Sequence, residues 1–294
     1  MSILGLFYML IFSVAHQGEV MLVRRYGKKY GAGGMLFNGV ICLFAMIYFL
    51  LTDRDGFHLV PGLWVYGIVN AALYAAGFYY AYVAYGIGNY FLTQTITSMQ
   101  FMIPIIYGLV FLKEPANWLT YASLAFSLAS VLLMCYARWE KVDQNKESSG
   151  ISAKWLIATL ITLFSNGVIS VVAKTQQARF GMQYGNEYMV ITLAGAFLFL
   201  LVMGVAVEKK SIKNTFKQGI AYGMGAGFLN GLKNAINLAL IALIPLSVLT
   251  PVKKGVGIVF AFLVSHLLYK ERYTKLHYLS ILLSIIAIVL MQLS

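Results

Sequence analysis

Long apolar runs alternate with short polar loops along the whole chain. Each run is close to twenty residues, the length that an α-helix needs to cross a hydrocarbon core of about 30 Å with its backbone polar groups satisfied internally. The ten runs lie at 3–23, 34–52, 62–85, 90–112, 118–137, 153–176, 188–207, 220–244, 246–269 and 276–293. The pattern predicts an all-α membrane protein with ten transmembrane helices.

Composition favours the same class, because 60% of the residues are hydrophobic and 11% are charged, which is outside the range of soluble domains. The four tryptophans fall at or beside predicted helix ends, where we expect their rings at headgroup level. Cys42 and Cys135 lie inside predicted helices and are expected to behave as small apolar residues. The tryptophans are Trp64, Trp118, Trp139 and Trp155.

Two sequence matches indicate an internal repeat. RYGKKYG at 25–31 returns as RFGMQYG at 179–185, and LKEPANWLTYASLAFS at 112–127 aligns with YKERYTKLHYLSILLS at 269–284. They predict two units of five helices, at 1–137 and 153–294, joined by a linker at 138–152. Five is odd, so the second unit enters the membrane from the opposite side, as in the inverted repeats of secondary transporters.

Charge supports this inversion, because cytoplasmic loops carry an excess of Lys and Arg. One set of alternating loops has fifteen basic residues, while the other has only Arg54, Lys113 and Arg179. The bias predicts both termini outside a plasma (inner) membrane. The fifteen are Arg24, Arg25, Lys28, Lys29, Arg138, Lys141, Lys146, Lys154, Lys209, Lys210, Lys213, Lys217, Lys270, Arg272 and Lys275.

The ten helices in two repeats, with a Lys-Glu pair closing the fourth (Lys113, Glu114) and the ninth (Lys270, Glu271), resemble the EamA-type transporters of the drug/metabolite transporter superfamily. The resemblance implies a central cavity between the halves, alternating access, and small metabolites as substrates. Family members are usually described with cytoplasmic termini, so the charge bias here departs from the family.

Function is expected at ionisable residues within the predicted helices, which cost about 2.5–3.5 kcal/mol each on insertion scales. Lys233 is near the middle of the eighth helix, and Asn230 and Asn237 share its face while Asn234 adjoins it. We interpret this stripe as a substrate site. The alternative is that its amides and lysine hold neighbouring helices together.

The ninth helix contains TPVKKGVG, in which Pro251 and two glycines surround Lys253 and Lys254. Proline and glycine favour a local helix break, which is where transporters place ligands. One lysine, by preference Lys254, is expected to face the cavity while the other snorkels outward. The corresponding first-half segment contains Gln94 as a neutral hydrogen-bonding group.

The first helix places His16 and Glu19 three residues apart, on one face. A carboxylate beside an imidazole is suited to carrying a coupling proton. The stretch GEVMLVRRYG also resembles the first helix of small multidrug resistance proteins, in which a glutamate binds protons and cations; here it is Glu19. The alternative is a structural glutamate paired with a lysine or with Arg24. Lys174 is expected to be structural.

Four lysines against one glutamate within the helices favour a ligand with a carboxylate or phosphate, since an unpaired buried ammonium needs an anion. The sequence therefore predicts a secondary active transporter of a small anionic or zwitterionic metabolite. It acts as a monomer or homodimer in a lipid bilayer, with no cofactor, no metal and no nucleic-acid partner. The alternatives are a proton-coupled exporter of organic cations using Glu19 and, more remotely, a non-transporting membrane assembly protein. No enzyme motif is present.

Overall fold

A computed structural model describes residues 3–30, 34–53, 56–58, 60–87, 93, 96–142, 152–209, 212–269 and 275–293. These residues are almost all helical, and none of them forms a β-strand. The predicted all-α class is therefore confirmed. The middle of the predicted linker and Gln94 lie outside the described residues.

The longer helices follow the predicted apolar runs, and we number them in chain order. They are α1 (Ile3–Tyr30), α2 (Met35–Thr52), α3 (Leu63–Ile87), α4 (Met102–Val110), α5 (Trp118–Val142), α6 (Ala153–Phe180), α7 (Gly185–Val207), α8 (Ile220–Leu243), α9 (Leu246–Tyr269) and α10 (Lys275–Leu293). Short helical turns lie at Met99–Phe101, Met182–Tyr184, Ile212–Asn214 and Thr215–Gly219.

Several of the described helices have the length and composition of membrane spans. Four are long and apolar enough to cross a bilayer, and shorter apolar helical stretches lie at Ile96–Val110, Trp118–Leu133 and Lys275–Met291. Large apolar side chains such as Leu51 and Phe111 are exposed, which suits a surface that faces lipid. These are the properties of a helical membrane protein. The four helices are Met35–Thr52, Ala153–Phe180, Met182–Val207 and Thr215–Leu243.

The two copies of the RYG stretch end differently. Helix α1 continues through Gly27 to Tyr30, beyond its predicted end at 23. Helix α6 stops at Phe180, because Gly181 takes a φ of +88°, a conformation that glycine adopts without the steric cost of a side chain. The repeat therefore preserves the sequence of this stretch without preserving its backbone conformation.

The tryptophan prediction is correct only in part. Trp64 and Trp118 are exposed at the first turns of α3 and α5, as expected for rings at headgroup level. Trp155 is instead buried, and its indole N–H donates to Thr93 Oγ1 at 2.8 Å. A helix-end tryptophan with a polar partner inside the protein does not need the interface. The side chain of Trp139 is outside the described residues.

The chain divides into two compact units, and each takes segments from both predicted repeats. Unit A contains Ile11–Tyr82 and Ile169–Ala242, and therefore most of α1, α3 and α8, all of α2 and α7, and the end of α6. Unit B contains Met1–Leu10, Val83–Val168 and Leu243–Ser294, and therefore α4, α5, α9 and α10, most of α6, the start of α1 and the end of α3.

Glycines let the helices of unit A approach closely. Helix α8 packs against α2 through Gly223, Gly227 and Gly231, and a methyl group at Gly227 would lie 2.8 Å from the carbonyl oxygen of Ile41. Small residues at such contacts allow backbones to come together in a membrane, where van der Waals packing drives helix association. Tyr26 stacks on Phe37 at a ring distance of 4.1 Å beside this contact.

Unit B is held by serines between α5 and α10. Ser123 Oγ donates to the carbonyl of Ala287 at 2.7 Å, and Ser130 Oγ donates to the carbonyl of Ser280 at 2.7 Å. Ser130 Oγ also lies 2.6 Å from Ser284 Oγ. Hydroxyl-to-carbonyl bonds of this kind join helices without exposing a polar group to lipid.

Candidate functional site

The centre of the site is an ion pair in unit A. Glu19 of α1 and Lys233 of α8 join through Oε2 and Nζ at 2.5 Å, and their side chains are only 13% and 17% exposed. Glu19 Oε1 accepts a second bond from Asn230 Nδ2 at 2.7 Å. The carboxylate therefore has one charged and one neutral donor, both from a single helix.

The glycines beside these residues explain why the two helices meet here. A methyl group at Gly18 would lie 3.0 Å from Leu229, and one at Gly225 would lie 3.0 Å from Leu22. The contacts advance along α1 while they recede along α8, so the helices are antiparallel. Each leucine fills the space left by the missing side chain opposite, which brings Glu19 within reach of Lys233.

An amide ladder extends the site towards α3. Asn234 Nδ2 donates to Asn230 Oδ1 at 2.8 Å, one helical turn along α8. The hydroxyl of Tyr74 donates to Asn234 Oδ1 at 3.5 Å, the limit of a hydrogen bond. Asn237 is half-buried one turn after Lys233. The predicted polar stripe therefore exists, and it links three helices through neutral groups on one side of the ion pair.

His16 lies at the other edge of the pair. Its Nδ1 is 3.9 Å from Glu19 Oε2, beyond hydrogen-bonding distance, and its side chain is 43% exposed. The imidazole stacks with Phe12 at 6.2 Å. The geometry gives His16 access to the carboxylate after a small movement. Its predicted part in proton coupling remains a prediction.

The expectation that Lys233 lacks a protein counterion is wrong. Glu19 is its partner, as in the structural alternative for the glutamate. Lys174 also has a protein acceptor, since its Nζ donates to the carbonyl of Ile241 at 2.7 Å. That oxygen belongs to the last turn of α8, where a cation is favoured by the helix dipole. The excess of lysines over glutamates therefore overstated the need for an anionic ligand.

Lys253 and Lys254 lie in unit B, on α9, and both side chains are partly buried and interact with other groups. The predicted break in their helix is wrong, because α9 runs continuously from Leu246 to Tyr269 with Pro251 inside it. Pro251 is only five residues from the helix start, so its ring disturbs little of the hydrogen-bond ladder.

Two glutamates outside the predicted site bind the starts of helices, and a third is buried. Glu208 accepts from the backbone N–H groups of Met35 and Leu36 at 2.8 and 3.2 Å, at the start of α2. Glu114 does the same at the start of α9, where it accepts from Leu246 and Ser247. Both carboxylates satisfy orphan donors at a positive helix end. The third, Glu187, is almost fully buried.

Sequence reasoning missed these carboxylates because it placed them in loops. The Lys-Glu pair at 113 and 114 was interpreted as a helix-end marker with no partner, whereas Glu114 binds another helix far along the chain. Glu187 was placed one residue before its helix, but α7 begins at Gly185. The recurrence of Lys-Glu at 113–114 and 270–271 was the signal in the sequence that singled out Glu114, while Glu271 lies outside the described residues.

The comparisons with known proteins bear on the fold alone. No family model and no curated protein matches the chain. Among the solved structures, a chain described only as "Crystal structure of protein" is similar, with a TM-score of 0.72 and 12% sequence identity. The match covers 97% of this chain and 98% of the other. The fold thus has a counterpart among known structures, with very little sequence in common.

Proposed function

We propose that the protein is a secondary active transporter of a small zwitterionic or anionic metabolite, with a preference for zwitterions. The observation that carries the proposal is the Glu19–Lys233 ion pair, set among neutral amides inside an apolar helical protein. Ionisable groups at membrane depth are expensive and tend to mark substrate or ion pathways. A buried ion pair is seldom needed for stability alone, since well-packed apolar residues in its place often give the protein equal stability.

The pair itself favours a zwitterion. A ligand with both a carboxylate and an ammonium group can replace each partner of the pair, so that Lys233 binds the carboxylate and Glu19 binds the ammonium. The exchange keeps every charge compensated, which is the condition for burying charges at low cost. Asn230 and Asn234 then orient the ligand through neutral hydrogen bonds. Lys253, Lys254, Asn237 and Gln94 remain predicted contributors.

Transport requires two access states, and an inverted repeat is the usual basis for them. The serine contacts of unit B support such a repeat. Ser123 corresponds to Ser280 in the sequence match, and Ser130 corresponds to Ala287. The contacts join Ser123 to Ala287 and Ser130 to Ser280. Such an exchange of partners is the mark of a two-fold axis. The helices are antiparallel, so the axis is perpendicular to them.

Unit A supports the repeat independently. Tyr26 at the end of α1 packs over Gly219 and lies 6.0 Å from the ring of Tyr222. Phe180, its counterpart in RFGMQYG, packs over Gly62 and lies 5.6 Å from the ring of Tyr66. The two contacts use the same kinds of residue at similar places in the two predicted repeats, although Tyr66 follows Gly62 by four residues and Tyr222 follows Gly219 by three. On this basis we infer ten transmembrane helices in two inverted five-helix repeats, of the EamA type.

Alternating access around the ion pair then follows as the mechanism. Substrate binding separates Glu19 from Lys233, and its release lets them pair again, so the empty site relaxes without unpaired charge. The chain contains no phosphate-binding loop motif, so a gradient or an exchanged solute supplies the driving energy. His16 at 3.9 Å gives Glu19 a titratable neighbour for proton coupling.

The charge bias of the loops leads us to propose that both termini are outside a plasma membrane. Reporter fusions at the C-terminus test this directly. A phosphatase that is active only outside the cytoplasm should report strongly, and a fluorescent protein that folds only inside should not. The reverse pattern would show the orientation usual for EamA-type proteins.

A thermal-shift screen of the purified protein with zwitterions, anions and organic cations tests the substrate class. The wild type should be stabilised by a subset of the zwitterions, because bound ligand raises the unfolding temperature. Glu19→Gln should shift the preference towards anions, and Lys233→Met towards cations. Lys174→Met is the matched control, since it removes a partly buried lysine from the same unit and should keep the wild-type preference.

Two outcomes would contradict this proposal. If organic cations stabilise the wild type and zwitterions do not, the protein is the cation exporter that the helix-1 glutamate alone predicts. If no class of ligand protects any variant, and cysteines placed at position 233 stay closed to thiol reagents, the helices pack around no hydrated site and the protein does not transport.

A further inference from the structure

The three hydrogen bonds of the amide ladder all run in one direction. The hydroxyl of Tyr74 donates to Asn234 Oδ1 at 3.5 Å, and Asn234 Nδ2 donates to Asn230 Oδ1 at 2.8 Å. Asn230 Nδ2 then donates to Glu19 Oε1 at 2.7 Å. The hydroxyl of Tyr74 also interacts electrostatically with Glu19 itself. Each bond of the ladder therefore points its hydrogen towards the carboxylate.

The charged and the phenolic ends of the ladder explain this direction. An ionised carboxylate can only accept hydrogen bonds, so Asn230 turns its amide nitrogen to Glu19. The oxygen of Asn230 then faces Asn234, which must donate in turn, and the oxygen of Asn234 faces α3. There the hydroxyl of Tyr74 supplies the donor that this oxygen needs. Glu19 and Tyr74 thus hold both amides in one orientation from opposite ends.

This orientation decides which groups the ladder offers to a ligand. Both amide oxygens already accept a hydrogen bond. Each amide nitrogen has two hydrogens and, in the part of the chain that the structure describes, uses one of them. Lys233 Nζ has three hydrogens and bonds to Glu19 Oε2. The remaining groups on this stretch of α8 are therefore mainly N–H donors, and they belong to Asn230, Lys233 and Asn234.

A ligand carboxylate fits such a set of donors, because its two oxygens accept several hydrogen bonds. When it takes Lys233 from Glu19, the oxygen that loses its partner is Oε2, since Oε1 stays bonded to Asn230. Oε2 is then free to accept from the ammonium of the same ligand. The ladder therefore anchors one oxygen of Glu19 while the other exchanges its partner.

We propose that Tyr74 is a positioning residue of the substrate site and acts through Asn234. By engaging the oxygen of Asn234, its hydroxyl keeps N–H groups directed to the ligand carboxylate and keeps an amide oxygen from a ligand N–H. Tyr74 thereby makes the site prefer a ligand with a free carboxylate to the same ligand with that carboxylate blocked. This role rests on the proposed transport function.

The test compares amino acids with their carboxamides, which keep the ammonium and lack the carboxylate. The unfolding temperature of the purified protein is measured against the concentration of each, and the wild type should prefer the acid. Tyr74→Phe should reduce this preference, the ratio of the two half-maximal concentrations, roughly tenfold. The variant should fold, because the ring of Tyr74 packs against Phe78 at 6.3 Å and phenylalanine keeps that contact.

Asn234→Ala tests whether Tyr74 acts through Asn234. It should reduce the preference to a similar extent, and adding Tyr74→Phe to it should change nothing further, because the effects of residues in one hydrogen-bond network are not additive. Tyr66→Phe is the matched control, since it removes a hydroxyl from the same helix about two turns before Tyr74. It should keep the wild-type preference.

An unchanged preference in Tyr74→Phe overturns the proposal. An equal further loss when Tyr74→Phe is added to Asn234→Ala also overturns it, because the hydroxyl would then act directly on the ligand or through packing. If no amino acid stabilises the wild type, the proposed function and the role of Tyr74 fail together. If amino acids stabilise the wild type and the variants keep its preference, only the role of Tyr74 fails.

Discussion

The α1–α8 contact and the α3–α6 contact of unit A share their packing and differ in their chemistry. Each begins with an aromatic ring over a glycine, at Tyr26 and at Phe180. Glu19 lies seven residues before Tyr26, and Ala173 lies seven residues before Phe180. Lys233 lies eleven residues after Tyr222, and Gly77 lies eleven residues after Tyr66. The contact of a ring with a glycine thus occurs with charged residues at these positions in one copy and with small residues in the other.

This difference acts as an internal control. If the Glu19–Lys233 pair existed only to join two helices, the matching helices would need a substitute. The matching positions are instead Ala173 and Gly77, which are both buried and small. Polar groups appear in the second contact at other positions, around Gln176 and Asn70. The buried polar residues of the two contacts thus lie at different positions along their helices.

The packing that both copies share should have the largest effect on stability. Tyr26→Ala removes a fully buried ring that stacks on Phe37, and we expect a loss of about 3–5 kcal/mol. Phe180→Ala should cost less, because Phe180 is partly exposed. Chemical unfolding in detergent measures both. Equal stability of Tyr26→Ala and the wild type would show that the ring does not hold α1 and α8 together.

The ion pair should have the second-largest effect on stability. Lys233→Met leaves the carboxylate of Glu19 with a neutral amide and a distant imidazole, and it should lose about 3 kcal/mol at neutral pH. Adding Glu19→Gln to it should recover most of that loss, since no unpaired charge remains. The same unfolding assay applies, and a double variant less stable than Lys233→Met alone would speak against a compensated pair.

The glycines after the two rings should respond with opposite signs. Gly27 lies within α1 with open space around its α-carbon, so Gly27→Ala should stabilise by up to about 1 kcal/mol. Gly181 has a φ of +88° and a ψ of 170°, a conformation essentially restricted to glycine, so Gly181→Ala should destabilise by about 1–3 kcal/mol. The melting temperatures of the two variants test this prediction. Equal shifts would mean that helices α1 and α6 end in the same way.

The serines of unit B should give the smallest effect. Ser130→Ala removes hydrogen bonds to Ser280 and Ser284, and bonds between membrane helices are worth about 0.6 kcal/mol on average. Ser127→Ala is the matched control, because Ser127 Oγ is buried without a partner and its loss should be neutral or stabilising. A larger loss at Ser127 than at Ser130 would contradict the observed pairing.

The sequence predicted what depends on local pattern and missed what depends on distant partners. Apolar runs located the helices, because a helix in lipid must satisfy its own backbone. The polar stripe at Lys233 was also predicted, because its residues lie close together in one helix. The counterion of Lys233 was not predicted, since Glu19 is more than two hundred residues away and no local pattern links the two. Glu187 and Glu114 were missed because their partners are also remote.

The most direct measurement uses the neutral double variant Glu19→Gln/Lys233→Met, titrated with the zwitterions that stabilise the wild type. The account predicts a folded protein whose melting temperature no longer responds to any of them, while Lys174→Met still responds fully. A double variant that binds zwitterions as tightly as the wild type would show that the pair is not where the substrate binds.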